Sequence, residues 1–306
     1  MTLRNLFFRT LSAYHREGIK YLGEAMVRKA RYGYRRWMGT YRGQSVYEDD
    51  WDALLLLDAC RPDALRAVAS EYNFIPEDVP VHYSVGSSSA SWMRRTFTDR
   101  YQDEIKNTNY VTANPNSDRL LTGSEFGQFV EVWKTEYNED AGTTLARSVT
   151  NHAINVHRQD PNARLMAHYM QPHFPSVPNP LGFGIRDGGS DDAEWIWEQG
   201  KPNDHSWEEI WDAYVENLRY VLDDIEVLLN NIDAEKVVIS ADHANAFGEK
   251  DIWGHPELPM KILREVPWVR TTATDTGSYT PEIETNRTEI VSVNEQLHAL
   301  GYTDQK

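Results

Sequence analysis

Asp52-Ala53-Leu54-Leu55-Leu56-Leu57-Asp58 is a short apolar run that ends at an acid. An unbroken run of this length, without polar alternation, suits a strand buried on both faces of a parallel sheet. Ala59-Cys60-Arg61-Pro62 follows, and Pro62 opens a helix through Ala64, Leu65, Ala67 and Val68, where its missing N–H costs nothing. A second run, Lys236-Val237-Val238-Ile239-Ser240, leads in the same way into Ala241-Asp242-His243. Between the two, the pattern predicts strands over Val79–Val85, Asn109–Ala113 and Ala163–Tyr169, and helices over Thr143–Arg158 and Trp207–Asn230. Strands alternating with helices predict an α/β fold with a largely parallel central sheet and helices on both faces. Residues 174–204 are rich in Pro, Gly and acids and read as a long functional excursion, with a lid or a solvated surface over 187–212. The Thr-rich stretch 270–288 reads as an exposed loop or edge strand before a last helix.

Composition narrows the function classes. Of 306 residues, 40% are hydrophobic, enough for a large core and too many for global disorder. Cys60 is the only cysteine, so an intrachain disulfide is excluded. Residues 1–45 carry ten Lys or Arg against Glu17 and Glu24, a net of +8, which leaves −24 for the remainder of a chain whose total is −16. That acidity argues against nucleic acid as a partner of the body. With arginine favoured over lysine, it matches a surface adapted to high salt, a halophile's composition.

The organisation expected is a basic amphipathic helical segment over 1–45 and a single α/β domain over 46–306. In the first segment Leu3, Leu6, Phe7 and Leu11 fall at helical spacing, with Phe8 beside them and Arg4 and Arg9 among the basic residues. Such a stretch reads either as a helix lying on an anionic membrane surface or as a helix docked on the acidic body or a neighbouring subunit in an oligomer. The sequence has neither the roughly 20 apolar residues of a membrane span nor the pattern of a secretory signal. The expected location is the cytoplasm or the cytoplasmic face of a membrane.

In an open α/β sheet, ligands gather beyond the carboxyl ends of the strands. Asp58, Asp242 and His243 fall there, and His173 follows the strand that ends near Tyr169. Carboxylate and imidazole ligands converging at strand ends suit a divalent metal such as Zn²⁺ or Mn²⁺.

In their order along residues 50–302 these features resemble the alkaline phosphatase superfamily, in particular its sulfatase-like branch. Leu54 to Asp63 is similar to the opening strand of that family, whose terminal Asp binds metal. Ser240-Ala241-Asp242-His243, followed by Phe247-Gly248-Glu249, is similar to its late metal motif. Gln171-Pro172-His173-Phe174-Pro175 and Trp253-Gly254-His255 resemble loops that bring histidines to the substrate, and Leu297 to Tyr302 resembles a common ending. The resemblance places the nucleophile in Gly86-Ser87-Ser88-Ser89-Ala90-Ser91-Trp92 and, with the sulfatase pattern laid over it, at Ser88, with Ser89 and Ser87 as alternatives. A serine there needs a metal or a base to become nucleophilic; read without the resemblance, the run is a helix cap.

Ala90 and Trp92 stand where sulfatases carry the Pro and Arg that direct formylglycine formation. The resemblance therefore implies phosphate-ester chemistry through a covalent phospho-serine, with sulfate esters as the alternative. A non-catalytic membrane- or partner-binding scaffold is the reading from another class. The expected cofactor is one divalent ion (Zn, Mn, Mg or Ca) on Asp58, Ser88, Asp242 and His243; a second ion on the histidines is the alternative. His173 and His255 are then general acid or substrate contacts, and Arg61, Gln171 and Asn114 are candidate substrate contacts, Arg61 competing with a structural ion pair to Asp63. Phosphoethanolamine transferases and lipoteichoic acid synthase, members of the same branch, make a lipid-linked or cell-surface substrate one expectation.

Overall fold

The computed structural model describes residues 43–181 and 205–283. The basic segment 1–42, the acidic stretch 187–204, the last helix and the ending Leu297–Tyr302 lie outside the described residues. The strands, in chain order, are β1 (Ala53–Leu57), β2 (Val81–Tyr83), β3 (Thr108–Thr112), β4 (Gln128–Glu131), β5 (Tyr137–Asn138), β6 (Thr143–Thr144), β7 (Arg164–Tyr169), β8 (Ala234–Ser240), β9 (Ala246–Phe247), β10 (Trp253–Gly254) and β11 (Glu265–Ala273). Seven of them form one sheet in the order β2–β11–β8–β1–β7–β3–β4. The five from β8 to β4 run parallel.

The apolar run that opened the reading is the centre of this sheet. All five residues of β1 are buried, and they divide between two cores by the two-residue period of a strand. Ala53, Leu55 and Leu57 pack with helices Pro62–Val68, Ala146–Gln159 and Trp207–Leu229. Leu54 and Leu56 face the other way, into an aromatic core of Trp51, Trp92, Tyr110, Phe126 and Trp268 beneath helix Ser89–Thr96. Both faces are covered, so the strand has no polar side to alternate.

The sheet departs from the expected pattern at one edge. Glu265–Ala273 is a strand that runs antiparallel between β8 and β2, so the stretch expected as an exposed loop or edge strand over 270–288 begins inside a covered strand and leaves it after Ala273. Pro267 weakens its strand signal, yet its first half is buried, with β2 covering it on the outer side. Edge strand β4 is half-buried throughout and carries no clear alternation, which is why it was not read from the sequence.

Helix Trp207–Leu229 fixes the site from behind. Ser206 and Glu209 close its amino end with a reciprocal capping pair, as expected of Ser-x-x-Glu. One turn further in, the Tyr214 hydroxyl donates to Ala59 O at 2.7 Å and accepts from Arg61 N at 3.0 Å. The loop held in this way follows Asp58 directly, and its Ala59 has a positive φ of 61°. Tyr214→Phe leaves a buried carbonyl and a buried N–H without partners. It is expected to lower unfolding stability by about 1–3 kcal/mol, measured by urea denaturation with an unchanged m-value.

Candidate metal and nucleophile site

Register brings the site together at the carboxyl end of the three central strands. Leu56 of β1 pairs with His168 of β7 on one side and Ser240 of β8 on the other. Asp58 and Asp242 each lie two residues beyond, and the sheet thus sets two carboxylates on either side of one point. His168 belongs to the same point. Its imidazole turns toward the aromatic core, against Trp92 and Tyr110, and its Nε2 stands 3.6 Å from Asp242 Oδ2.

Asp58, His168, Asp242 and the following His243 are completely buried. His243 Nε2 lies 3.3 Å from Asp58 Oδ1 and 3.6 Å from Asp242 Oδ2. Its Nδ1–H donates to Ala244 O at 2.9 Å, which turns Nε2 toward the carboxylates. Asp242 Oδ1 accepts from Ala59 N and from His243 N, at 3.3 and 2.8 Å. The other oxygen, Oδ2, has no hydrogen-bond donor; neither has Asp58 Oδ1, and His168 Nε2 has no hydrogen-bond partner. One ligand atom from each of Asp58, His168 and Asp242 falls within 4.8 Å of the others. Buried polar atoms are nearly always satisfied, and these three converging atoms without hydrogen bonds form a group that could hold a metal ion.

The electrostatics agree. Burial opposes ionisation of Asp242, but the imidazoles of His243 and His168 hold its carboxyl well below the usual carboxylate range. Burial likewise opposes charge on His243, and Asp242 and Asp58 nevertheless push its imidazole up to about 9. The carboxylates demand positive charge, and carboxylate and imidazole donors together fit a divalent transition metal.

The serine run divides its labour. Ser88 is the N-cap of helix Ser89–Thr96, its hydroxyl accepting from Ser91 N at 3.3 Å. Ser91 Oγ accepts in turn from Ser87 N and Ser88 N, at 3.0 and 3.1 Å. Ser87 Oγ donates to Pro256 O at 3.4 Å. Ser89, the first helical residue, is the one that faces the carboxylates, with its Oγ 3.1 Å from Asp58 Oδ2 and 3.3 Å from His243 Nε2. Gly86 allows the loop to lie flat on the helix start, since a Cβ there would come within 2.4 Å of Trp92 N.

The two later histidines meet beside this cluster. His173 Nδ1–H donates to Phe174 O at 2.6 Å, which leaves its Nε2 as the acceptor of His255 Nε2–H at 2.8 Å. The His255 ring is 4.5 Å from that of His243. Burial lowers the His173 imidazole below its ordinary range; enclosure, then the neighbouring His243, lowers His255 well below it. Both rings are therefore neutral and share one proton between their Nε2 atoms. Asn217 Nδ2 holds the His173 loop through His173 O at 3.1 Å, and Glu257 pairs with Arg94 and Arg95 of the serine helix.

The remaining candidates fall around the cluster. Asn114 donates from Nδ2 to Asp58 Oδ2 at 2.7 Å. Gln171 is buried and donates to Thr144 O at 2.9 Å. The Arg61 guanidinium is held by Asp63 and Glu249, at 2.7 and 2.6 Å, and by Asn245 O at 3.1 Å, the structural pairing rather than an open hand for a substrate. Burial pushes the Cys60 thiol far up, as for a small core residue. His168 was not among the residues picked out in the sequence. It sits inside a strand between Ala167 and Tyr169, and the signal available was a histidine on the same face as Met166, one residue before the strand end.

No family model and no curated protein matches the chain. Among solved structures it is similar to the integral membrane lipooligosaccharide phosphoethanolamine transferase A of Neisseria meningitidis, with 13% identity and a TM-score of 0.49 over 90% of this chain and 60% of that one. It is also similar to the C-terminal periplasmic domain of EcEptC from Escherichia coli in complex with Zn, with 12% identity and a TM-score of 0.44 over 76% of each chain. A putative sulfatase from Bacteroides thetaiotaomicron gives 9% identity and a TM-score of 0.44 over 83% of this chain and 75% of that one. At these identities the likeness is one of fold. Among the described residues no helix is long and apolar enough to cross a membrane.

A cation bound here must stabilise the folded chain. At a Zn²⁺ or Mn²⁺ concentration a hundred times its Kd, the chelated protein should gain about 2.7 kcal/mol, read as a rise in melting temperature. Asp242→Asn should remove that rise while leaving a folded protein.

Proposed function

We propose that the chain is a metal-dependent phosphoesterase or phosphotransferase in which Ser89 is the nucleophile. The observation that carries the reading is the position of Ser89 Oγ, at a helix start and within 3.3 Å of both Asp58 and His243, against ligand atoms that have no hydrogen-bond partner. The resemblance of the ordered motifs to the sulfatase-like branch supports it. Asp58, Asp242, His243 and His168 would hold the cation, which supplies Lewis-acid polarisation of the phosphoryl group and eases deprotonation of a nearby hydroxyl.

The protein's own groups account for the remaining steps. Ser89 Oγ attacks phosphorus and gives its proton to the Asp58 carboxylate against which it rests, while the bond from phosphorus to the leaving alcohol breaks. The neutral His173–His255 pair passes a proton to the leaving oxygen as it takes one up from Asp58, so that neither ring is left as an imidazolate. The amides at the start of helix Ser89–Thr96 face the transferring group, and a helix amino end favours an anion there. Water or an acceptor hydroxyl then attacks the phospho-serine, and its proton passes through the same histidine pair to Ser89 Oγ as the bond from Oγ to phosphorus breaks, restoring Ser89. With Ser89 as the nucleophile, Ser91 and Met93 stand where the sulfatase pattern has Pro and Arg, which favours an unmodified serine and phosphate over sulfate. The segment 1–45, with +8 against −24 for the rest, is read as the part that brings the site to an anionic membrane or a lipid-linked substrate.

The test is turnover of aryl phosphate, aryl phosphodiester and aryl sulfate with added Zn²⁺ or Mn²⁺. Ser89→Ala is expected to lose at least about 1,000-fold in kcat, the scale of removing a nucleophile. Ser88→Ala, which removes only a cap worth about 1 kcal/mol, should keep activity within a few-fold. Equal loss in both variants, or loss in Ser88→Ala alone, would overturn the placement of the nucleophile, and preference for sulfate would overturn the substrate class. Separately, deleting residues 1–42 should abolish sedimentation with anionic liposomes and spare turnover of the soluble phosphate ester.

A further inference from the structure

Asp58 has two oxygens with different neighbours. Oδ2 accepts from Asn114 Nδ2 at 2.7 Å and from Ser89 Oγ at 3.1 Å, while Oδ1 accepts no hydrogen bond and faces His243. An asparagine can present either end of its amide, and its oxygen toward Asp58 would repel the carboxylate. Here the choice is fixed from behind: Asn114 Oδ1 accepts from both Asn116 N and Asn116 Nδ2, each at 3.0 Å. The backbone is pinned as well. Asn114 N donates to Thr112 Oγ1 at 3.0 Å, and Ala113 N donates to the carbonyl of His168 at 2.9 Å. Asn114 is fully buried and Asn116 nearly so, at 6% exposure, so water does not compete for these bonds.

We infer that Asn114, locked by Asn116, is a positioning residue that holds Asp58 by Oδ2 so that Oδ1 is delivered to the cation. The inference rests on the cation reading above. It assigns Asn114 to the metal carboxylate and not to the substrate, and gives Asn116 a role through Asn114 alone. A neutral donor suits the task, because it fixes one oxygen without adding a charge that would compete with the metal. Outer partners of metal ligands typically govern about 10–100-fold in affinity.

The experiment is calorimetric titration of the full chain with Zn²⁺ alone and with Mn²⁺ alone, for wild type, Asn114→Ala, Asn116→Ala and the double variant. Melting temperature in chelator and the substrate KM at saturating metal are measured alongside. Asn114→Ala is expected to raise the metal Kd about 10–100-fold with KM for an aryl phosphate unchanged. Asn116→Ala, which leaves its backbone N–H in place, should raise Kd by a smaller factor. The double variant should be no weaker than Asn114→Ala, because Asn116 acts only through Asn114. If Asn114→Ala does not fold, Asn116→Ala against Asn116→Asp carries the test: both lose the side-chain donor, and both must weaken the metal. A wild-type chain that takes up neither ion overturns the cation reading together with this inference. Metal binding in wild type with an unchanged Kd in the Asn114 and Asn116 variants, additive losses in the double variant, or a raised KM with unchanged Kd overturns the inference alone.

Discussion

Two carboxylates, Asp58 and Asp242, are buried without access to water on either side of one imidazole, His243. Taking two negative charges out of water is costly unless positive charge and hydrogen bonds answer them, and this requirement organises what surrounds them. Asp242 Oδ1 is met by two backbone amides and Asp58 Oδ2 by Asn114 and Ser89. The inner oxygens are left to the imidazoles, and the carboxylates favour the charged form of His243. A divalent cation held by the same residues would meet the same demand, the imidazoles then offering lone pairs.

The fold is the device that makes this arrangement affordable. A central strand buried on both faces puts its terminal acid at the middle of the sheet's edge, and parallel neighbours on each side bring their own terminal residues to the same level. Helix Trp207–Leu229 ties the loop after Asp58 through Tyr214 and the His173 loop through Asn217. The serine helix reaches across the other face and is held to the His255 loop by Ser87 and by Glu257. The candidate groups are thus carried by packed elements, which is what a site needs to hold its geometry.

Much of this was legible in order along the chain. The strand-end acids Asp58 and Asp242 are visible because each closes an apolar run that predicts a buried strand, and the Pro62 helix start follows from local chemistry. Three features escaped for physical reasons. His168 lies within a strand whose neighbours are apolar, and nothing local separates a ligand from a core histidine; only the register against Leu56 and Thr112 aims it. The choice among Ser87, Ser88 and Ser89 depends on helix phase, since the cap position and the first helical position point about 100° apart, and a run of identical residues conceals where the helix begins. Strand β11 is set by burial between β8 and β2, which overrides the proline inside it, as tertiary context commonly does for strands.

The most direct test of the central claim is anomalous diffraction from crystals grown with Zn²⁺ or Mn²⁺, collected on either side of the metal's absorption edge. The account predicts one strong peak bonded to Asp58 Oδ1, Asp242 Oδ2 and the Nε2 atoms of His243 and His168, with Ser89 Oγ as its nearest hydroxyl. Metal held by His173 and His255 with Asp58 and Asp242 unbound, or no peak at the carboxylates at all, would contradict it.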